Sequence, residues 1–366
     1  MKLVTTREDL LKPLQLVTGV VERRQTLPIL SNVLIKATDN NLCISATDLE
    51  LELMTNTTMD IAEPGEATLP ARKLLDICKT LPEGAKLTLA VNGEKGLLTS
   101  GRSRFSLSTL PVKDFPLVDE FAQVNGFEIS ETELKDVIDR TQFSMAQQDV
   151  RHYLNGLMLE IHDNLLVGVA TDGHRLSYCK IDTDIKNGET RQVIIPRKGI
   201  QELTRLLSDT DNKAIVSIGT NHIAIEVNGI CFTSKLIDGK FPDYERVLPA
   251  KADIQLTADR ETLRQALVRT SILSNEKYRG IRLVLSNNRL SIQAHNPEQE
   301  EAEEEMEISY EGDSVEVGFN VNYLLDALSA IEADTVKISM ADANSSCLVQ
   351  KIDSEDCKYI IMPMRL

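Results

Sequence analysis

The chain contains no tryptophan, and aromatic residues of all kinds fill only 4% of its 366 positions. That scarcity argues against a single-strand nucleic-acid groove, where aromatic rings alternate with basic side chains to stack successive bases. No stretch approaches the ~20 uninterrupted apolar residues of a membrane span, so no membrane partner is expected. The first residues, MKLVTTREDL, lack the apolar core of a signal peptide and the Arg-rich pattern of a transit sequence, and a cytoplasmic address is expected. The six cysteines, Cys43, Cys78, Cys179, Cys231, Cys347 and Cys357, include no CxxC pair. In a chain large enough to fold without staples they read as reduced core residues. There is no GxSxG elbow, no HExxH pair and no GxxxxGK[ST] phosphate loop, so no catalytic centre, metal or cofactor is expected.

In bulk the rest is ordinary, with 42% hydrophobic and 26% charged residues, as in soluble globular proteins. At roughly 100 to 200 residues per domain, the length suggests two or three domains. The net charge of −16 opposes a nucleic-acid partner, because phosphate affinity comes from Lys and Arg displacing counterions. Exposed charges are screened over about 8 Å at physiological salt, however, so a local basic surface can act apart from a distant acidic one. Residues 1–124 hold 14 basic and 16 acidic side chains, 125–250 hold 14 and 19, and 251–366 hold 12 and 21. Acidity accumulates late.

One pattern occurs three times. LVTTREDLLKPLQLV begins at Leu3, FEISETELKDVIDRT at Phe127 and LTADRETLRQALVRT at Leu256, and each reaches a leucine (Leu10, Leu134, Leu263) that opens a helical segment. LSNVLI (30–35) aligns with LNGLML (154–159) and RGIRL (279–283); the triplets Ala46-Thr47-Asp48, Ala170-Thr171-Asp172 and Ala294-His295-Asn296 follow at intervals of 124. KLLDICKTL (73–81) matches YLLDALSAI (323–331), with GIQEL (199–203) between them. Repetition at this period marks copies of one structural unit, here 1–124, 125–250 and 251–366.

Within the first copy, Leu10, Leu14, Val17 and Val21 fall at helical spacing, as do Leu74, Ile77, Cys78 and Leu81. Thr5 and Glu8 are spaced for a capping box, and Pro13 is placed to kink the helix. Other segments, such as 42–53 and 165–178, alternate as strands between turn residues. Two helices among many strands in each copy give an α+β class. Basic residues cluster on and beside the helical segments: Lys12, Arg23 and Arg24; Arg72, Lys73 and Lys79; Arg197, Lys198 and Arg205; Arg260, Arg264 and Arg269. The segment 321–331 has none.

Together with GRSRFSLSTLP (101–111), FSMAQQDVRHYLNG (143–156), ATDGHRL (170–176), FPDYERVLP (241–249), SNEKYRGIRL (274–283), NPEQEEAEE (296–304) and a terminal MPMRL (362–366), this repetition resembles the bacterial DNA sliding clamp family, the beta subunits of DNA polymerase III. The resemblance spans the whole chain. It implies three tandem clamp-type domains, each with two helices packed on antiparallel sheets, and a head-to-tail homodimeric ring around duplex DNA. It implies a non-catalytic processivity factor that slides without reading sequence. The implied partners are duplex DNA, a second copy, replicative and translesion polymerases, the clamp loader and other proteins carrying clamp-binding peptides.

The resemblance also assigns residues. DNA contacts fall on Arg24, Gln148, His152 and Tyr153, with Arg197 and Lys198 as electrostatic candidates; His152 stands where the family carries tyrosine. The peptide pocket falls on Leu154, Thr171, Gly173, His174, Arg175, Leu176, Pro242, Arg246, Val247, Tyr278, Asn320, Tyr323, Asn344, Ser346, Ile360, Met362, Pro363, Met364 and Arg365, with Asn344 polar where an aliphatic residue is usual. The ring joint falls on Phe105 and Leu107 flanked by Lys95, Arg102 and Arg104, facing Ile272 and Leu273 with Glu298, Glu300, Glu301, Glu303 and Glu304. Head-to-tail closure needs two different matching surfaces.

ATDGHRL invites another reading, with Asp172 orienting His174 as a general base. No nucleophile motif accompanies it, and an Asp-Gly turn bonding its own backbone explains the pair without catalysis. Only the middle copy adds Gly173 to Leu176. A monomeric peptide-binding scaffold and a hydrolase using His174 are the alternatives to the ring.

Overall fold

The computed structural model describes residues 1–21, 27–117, 126–186, 190–248 and 252–365. The described residues form six α-helices among 25 strands, all paired antiparallel in four sheets. The helices are α1 (Arg7–Val17), α2 (Ala71–Thr80), α3 (Glu131–Asp139), α4 (Arg197–Leu206), α5 (Arg260–Ser271) and α6 (Val321–Ala330). None is long and apolar enough to cross a membrane.

By compactness the chain forms two units, residues 1–132 with 201–236, and 133–200 with 237–366. The first holds a five-stranded sheet ending at the edge strand Ser103–Ser108, and an eight-stranded sheet in which Ile230–Lys235 pairs with Leu51–Thr58. The second holds an eight-stranded sheet in which Arg175–Asp182 pairs with Cys357–Ile361, and a four-stranded sheet ending at Glu301–Glu307. Each large sheet therefore joins strands from two sequence copies, Phe232 lying opposite Leu53 and Leu176 opposite Ile360. A strand left at a sheet edge carries unpaired backbone groups, and pairing with the neighbouring copy satisfies them.

The helices follow their stripes. Leu10, Leu14 and Val17 of α1 are wholly buried, as are Leu74 and Cys78 of α2. In the second unit Leu263 and Leu267 of α5 and Leu324 and Leu328 of α6 share a core with Phe319 and Tyr359; each such apolar side chain contributes about 1.5–3 kcal/mol on burial. The cap of α1 lies one residue beyond the expected Thr5–Glu8 box: Thr6 Oγ1 accepts from Asp9 N at 3.3 Å. Strand pairing runs through Thr5 and Thr6, opposite Leu87 and Lys86, which delays the helix, and Glu8 instead accepts from Gly84 N. Pro13 is buried inside α1, which runs unbroken through it.

The cysteines correct the expectation of six reduced core thiols. Cys78 and Cys347 are buried, with desolvation pushing their thiols up to about 11 and about 12. Cys43 and Cys231 are half-buried. Cys179 and Cys357, 178 residues apart, lie directly opposite on paired strands and are joined in a disulfide. Spacing in the chain carries no trace of that register.

Candidate functional site

The ATD corners are built alike. In the first, Asp48 Oδ1 accepts from Glu50 N and Leu51 N at 2.9 and 2.7 Å, and Thr47 Oγ1 donates to Leu51 O at 2.8 Å. In the second, Asp172 Oδ1 accepts from His174 N and Arg175 N at 2.9 and 3.0 Å, and Thr171 Oγ1 donates to Arg175 O at 2.6 Å. The third is wider, with Asn296 Oδ1 accepting from Glu300 N. The residue after the aspartate has positive φ in both tight corners, 81° at Leu49 and 88° at Gly173. Glycine relieves that strain in the middle copy. It also leaves room, since a Cβ at 173 would stand 3.0 Å from Arg151 Nη2.

Asp172 is thus committed to backbone amides, and its other oxygen takes Arg175 Nε at 3.2 Å. The contacts that a triad would need between Asp172 and the His174 ring are replaced by these. His174 itself is exposed, and its carbonyl accepts from Met362 N at 2.9 Å, which fastens the terminal segment beside the corner.

Arg175 organises the surroundings. Its guanidinium reaches Asp326 Oδ2 at 2.5 Å and the Phe143 carbonyl at 2.6 Å, and lies over the rings of Tyr323 and Phe143 at 4.5 and 5.6 Å. A planar fork with five donors can satisfy this many directions at once, which an ammonium cannot.

Beside this hub lies a cavity of about 180 Å³ walled by Leu154, Thr171, Gly173, Arg175, Leu176, Pro242, Val247, Ile360 and Met362. Arg151, Tyr153, Phe241 and Tyr244 complete it. Leu154, Leu176, Phe241 and Ile360 are buried at its floor, while Met362 is 40% exposed at its lip. Tyr244 donates to Glu160 at 3.3 Å and packs 5.7 Å from the Tyr178 ring, holding the wall by an apolar body and a polar tip. Burial and the nearby Glu160 raise the Tyr244 hydroxyl well above the usual tyrosine range. Phe241, Tyr244 and Arg151 were not among the expected pocket residues, although FPDYERVLP and FSMAQQDVRHYLNG contain them.

The remaining expected residues scatter around this cavity. His174 and Tyr323 border an adjoining open depression of about 490 Å³, with Gln148 and Arg197. Asn320 caps α6 by accepting from Asn322 N at 2.9 Å, and Asn344 lies in a turn closed by Asp342. Arg246 is 85% exposed and paired with Asp243 at 2.7 Å; Tyr278 is 57% exposed beneath Lys277. Ser346 and Pro363 are half-buried and Arg365 exposed, none of them on the cavity wall, while Met364 N is bonded to Gly318 O at 2.8 Å.

The residues expected at DNA divide as well. Arg24 lies outside the described residues. Gln148 has a φ of +57° on an exposed loop, and His152 is exposed at the start of a 3-10 turn. The Tyr153 ring belongs to the cavity wall, and Arg197 Nη1 donates to Met145 O at 2.8 Å. Lys198 is half-buried on α4. Several basic helix residues are committed to the fold: Arg72 to the Val21 carbonyl, Arg205 to Glu202, Arg260 to the Ala333 carbonyl, Arg264 to Glu261 and Arg269 to Glu304.

The two surfaces expected at a ring joint are both sheet edges. On Ser103–Ser108, Arg104 is exposed, as are neighbouring Lys95 and Arg102, whereas Phe105 is half-buried and Leu107 is 7% exposed. Period-two alternation turns both apolar residues to one face, and Leu107 already sits in its own unit's core. Ile272 is 72% exposed and Leu273 half-buried just beyond α5. Glu298, Glu300, Glu301 and Glu303 are exposed, and Glu304 is bound through both oxygens by Arg269 at 2.6 and 3.0 Å. Donors from Gln293 and Ser291 to Glu303, and from Arg269 to Glu304, hold these carboxyls below the usual range.

Among the described residues no group of three or more His, Cys, Asp or Glu side chains is arranged to hold a metal ion. Models of the DNA polymerase III beta subunit match the chain in three consecutive stretches, the N-terminal domain over 1–119, the central domain over 128–243 and the C-terminal domain over 245–365. A beta sliding clamp of Pseudomonas aeruginosa is 55% identical over 361 residues, covering 98% of each chain. The crystal structure of the DNA polymerase III subunit beta from the same organism superposes with a TM-score of 0.97 at 54% identity, covering all of both chains. A further P. aeruginosa clamp structure, bound to griselimycin, matches with a TM-score of 0.95 at 54% identity, again over the whole of both chains.

Proposed function

This chain belongs to the DNA polymerase III beta subunit family, and from that membership we propose that two copies close head to tail around duplex DNA and tether polymerases through the cavity beside Arg175. The family is a non-catalytic accessory subunit, so the chain acts as a processivity factor. Processivity comes from topology: a closed ring loses individual phosphate contacts without leaving the duplex, and contacts to phosphate position DNA without reading its bases. The acidic remainder disfavours DNA on other surfaces and keeps the protein soluble.

The observation that carries the docking role is the cavity itself. It is walled by apolar side chains from Leu154, Leu176, Val247, Ile360 and Met362 and built on the one corner that the other copies do not extend. A short peptide inserting one or two apolar side chains suits such a cleft, with Arg151 and the exposed His174 at hand for its polar groups. Met362 and Met364 give the terminal segment a pliant surface suited to several partners, among them replicative and translesion polymerases and a clamp loader.

The ring is tested by loading the protein on nicked circular duplex with a clamp loader and ATP, followed by a high-salt wash. Retention on the circle and release on linearisation are expected. Equal loss from circular and linear DNA would reject the ring and leave the monomeric peptide-binding scaffold.

A further inference from the structure

A second cavity, of about 200 Å³, lies in the unit formed by 133–200 and 237–366, and Cys357 is one of its walls. Arg140, Lys351, Glu332, Asp356 and Tyr359 are others. Tyr359 is 1% exposed, and its hydroxyl has no hydrogen-bond partner among the described residues. An unpaired buried hydroxyl is unfavourable, so a small polar molecule admitted there gains a bond that the protein leaves open.

Cys179 is wholly buried behind Cys357, directly opposite it on the paired strand, with Cα atoms 4.1 Å apart. Of the two sulfurs, Cys357 alone belongs to a residue on the cavity wall. The other four cysteines differ. Cys78 and Cys347 are buried, Cys43 and Cys231 are half-buried beside Ser45 and Thr233, and desolvation raises all four thiols away from the reactive thiolate form. Arg140, Lys351, Glu332 and Asp356 put charges of both signs on the wall that Cys357 shares, and Arg140 is paired there with Glu332.

We propose that Cys357 and Cys179 form a reversible oxidation site for small hydroperoxides, with the peroxide reaching Cys357 through this cavity and Cys179 as the resolving thiol. The Cys357 thiolate attacks one peroxide oxygen; an S–O bond forms, the O–O bond breaks, and the departing oxygen takes a proton to leave as water or an alcohol. The Cys179 sulfur then attacks the sulfenic sulfur of Cys357; the S–S bond forms, the S–O bond breaks, and hydroxide leaves with the Cys179 proton as water. Two thiols lose two electrons and the peroxide gains them. A dithiol reductant returns the pair through a mixed disulfide, supplying two electrons and two protons. The Tyr359 hydroxyl is the donor on the same wall for the incoming peroxide.

The test uses the full chain, fully reduced, treated with hydrogen peroxide, alkylated under denaturing conditions and digested without reductant. Mass spectrometry is expected to show a linked peptide pair carrying Cys179 and Cys357, loss of alkylation at those two positions only, and recovery of both after dithiothreitol. In Cys179→Ser the reaction is expected to stop at a Cys357 sulfenic acid that dimedone traps. Continued alkylation of both residues, at a peroxide dose that oxidises a free-thiol standard, overturns the proposal. Dimedone labelling of Cys179 in Cys357→Ser, with none at Cys357 in Cys179→Ser, overturns the assigned order of attack. The first arm needs no variant and holds whether or not Cys179→Ser folds.

Discussion

The Arg175 guanidinium lies 4.5 Å over the centroid of the Tyr323 ring while bonded to Asp326, Asp172 and the Phe143 carbonyl. One side chain, 13% exposed, thus joins the corner, the turn at 143 and α6. Removing it takes a donor from Asp326, from the second oxygen of Asp172 and from the Phe143 carbonyl. Arg175→Ala is expected to lower unfolding stability by about 2–4 kcal/mol, somewhat less than the ~3–5 kcal/mol of a fully buried pair because Asp326 is 42% exposed. Arg175→Lys is expected to recover less than half, because an ammonium cannot span the same partners. Urea unfolding followed by circular dichroism measures both.

Met362 offers the cleanest probe of peptide docking, because it walls the cavity yet is 40% exposed. Met362→Ala removes about 1–1.5 kcal/mol of apolar contact, which corresponds to roughly tenfold weaker binding. Fluorescence anisotropy with a labelled clamp-binding peptide reads the affinity, and an unchanged melting temperature shows that the fold is intact. Unaltered affinity would remove Met362 from the site.

The ring joint is expected to depend on charge more for register than for strength. Arg104 on Ser103–Ser108 and Glu301 on Glu301–Glu307 are both exposed, and exposed pairs contribute only about 0–1 kcal/mol each. A ring of two copies has two such joints, so Arg104→Ala is expected to weaken dimerisation no more than about thirtyfold at low salt, about 1 kcal/mol at each joint, with the difference shrinking as salt screens it. Ile272→Asp, placing a charge at a 72% exposed apolar position, is expected to do more. Sedimentation across a concentration series gives the dissociation constants.

Asp149 supplies a pH-dependent brace for Arg151 at the cavity rim. The Arg151 guanidinium, with its backbone amide, holds the Asp149 carboxyl at about 2 against an ordinary 3.8, with His174 adding a smaller effect. Because the folded value is depressed, the stabilisation is complete above the ordinary value and is lost as pH falls toward about 2. Asp149→Asn is expected to lose that acid-side dependence and to lack the brace at neutral pH, so that variant and parent converge as pH falls toward about 2. The Arg151 Nε–H NMR signal, followed from pH 7 to about 2, checks the window.

Glu131 is fully buried and accepts from Ser208 N, Thr210 Oγ1 and Asn228 Nδ2 at 2.8, 3.1 and 3.0 Å. Glu131→Ala leaves these donors unsatisfied and is expected to cost about 3–5 kcal/mol. Glu131→Gln keeps one acceptor but sets an amide donor against donors, so only partial rescue is expected. Thermal melting of the three proteins decides it.

Local and periodic features were legible in the sequence, because they are written in neighbouring residues. The three copies, the helical stripes such as Leu10-Leu14-Val17 and the bonding of Asp48 and Asp172 to their own turns need only contacts a few positions apart. The cap of α1 slipped by one residue because strand pairing reached through Thr6, a tertiary effect. Within quoted motifs, residue choice was less secure: Tyr153 and Phe241 turn toward the cavity, and Leu107 turns into a core.

What the sequence by itself determined is the repeated α+β unit and the middle copy's added Gly173 to Leu176, since both recur or fail to recur at a fixed period. Tertiary structure alone decided which strands complete one another's sheets, that Cys179 meets Cys357, and that Arg175, Arg197 and Arg269 find partners on other elements. These depend on register between segments remote in the chain, and a shift of one residue in a strand turns every side chain to the opposite face.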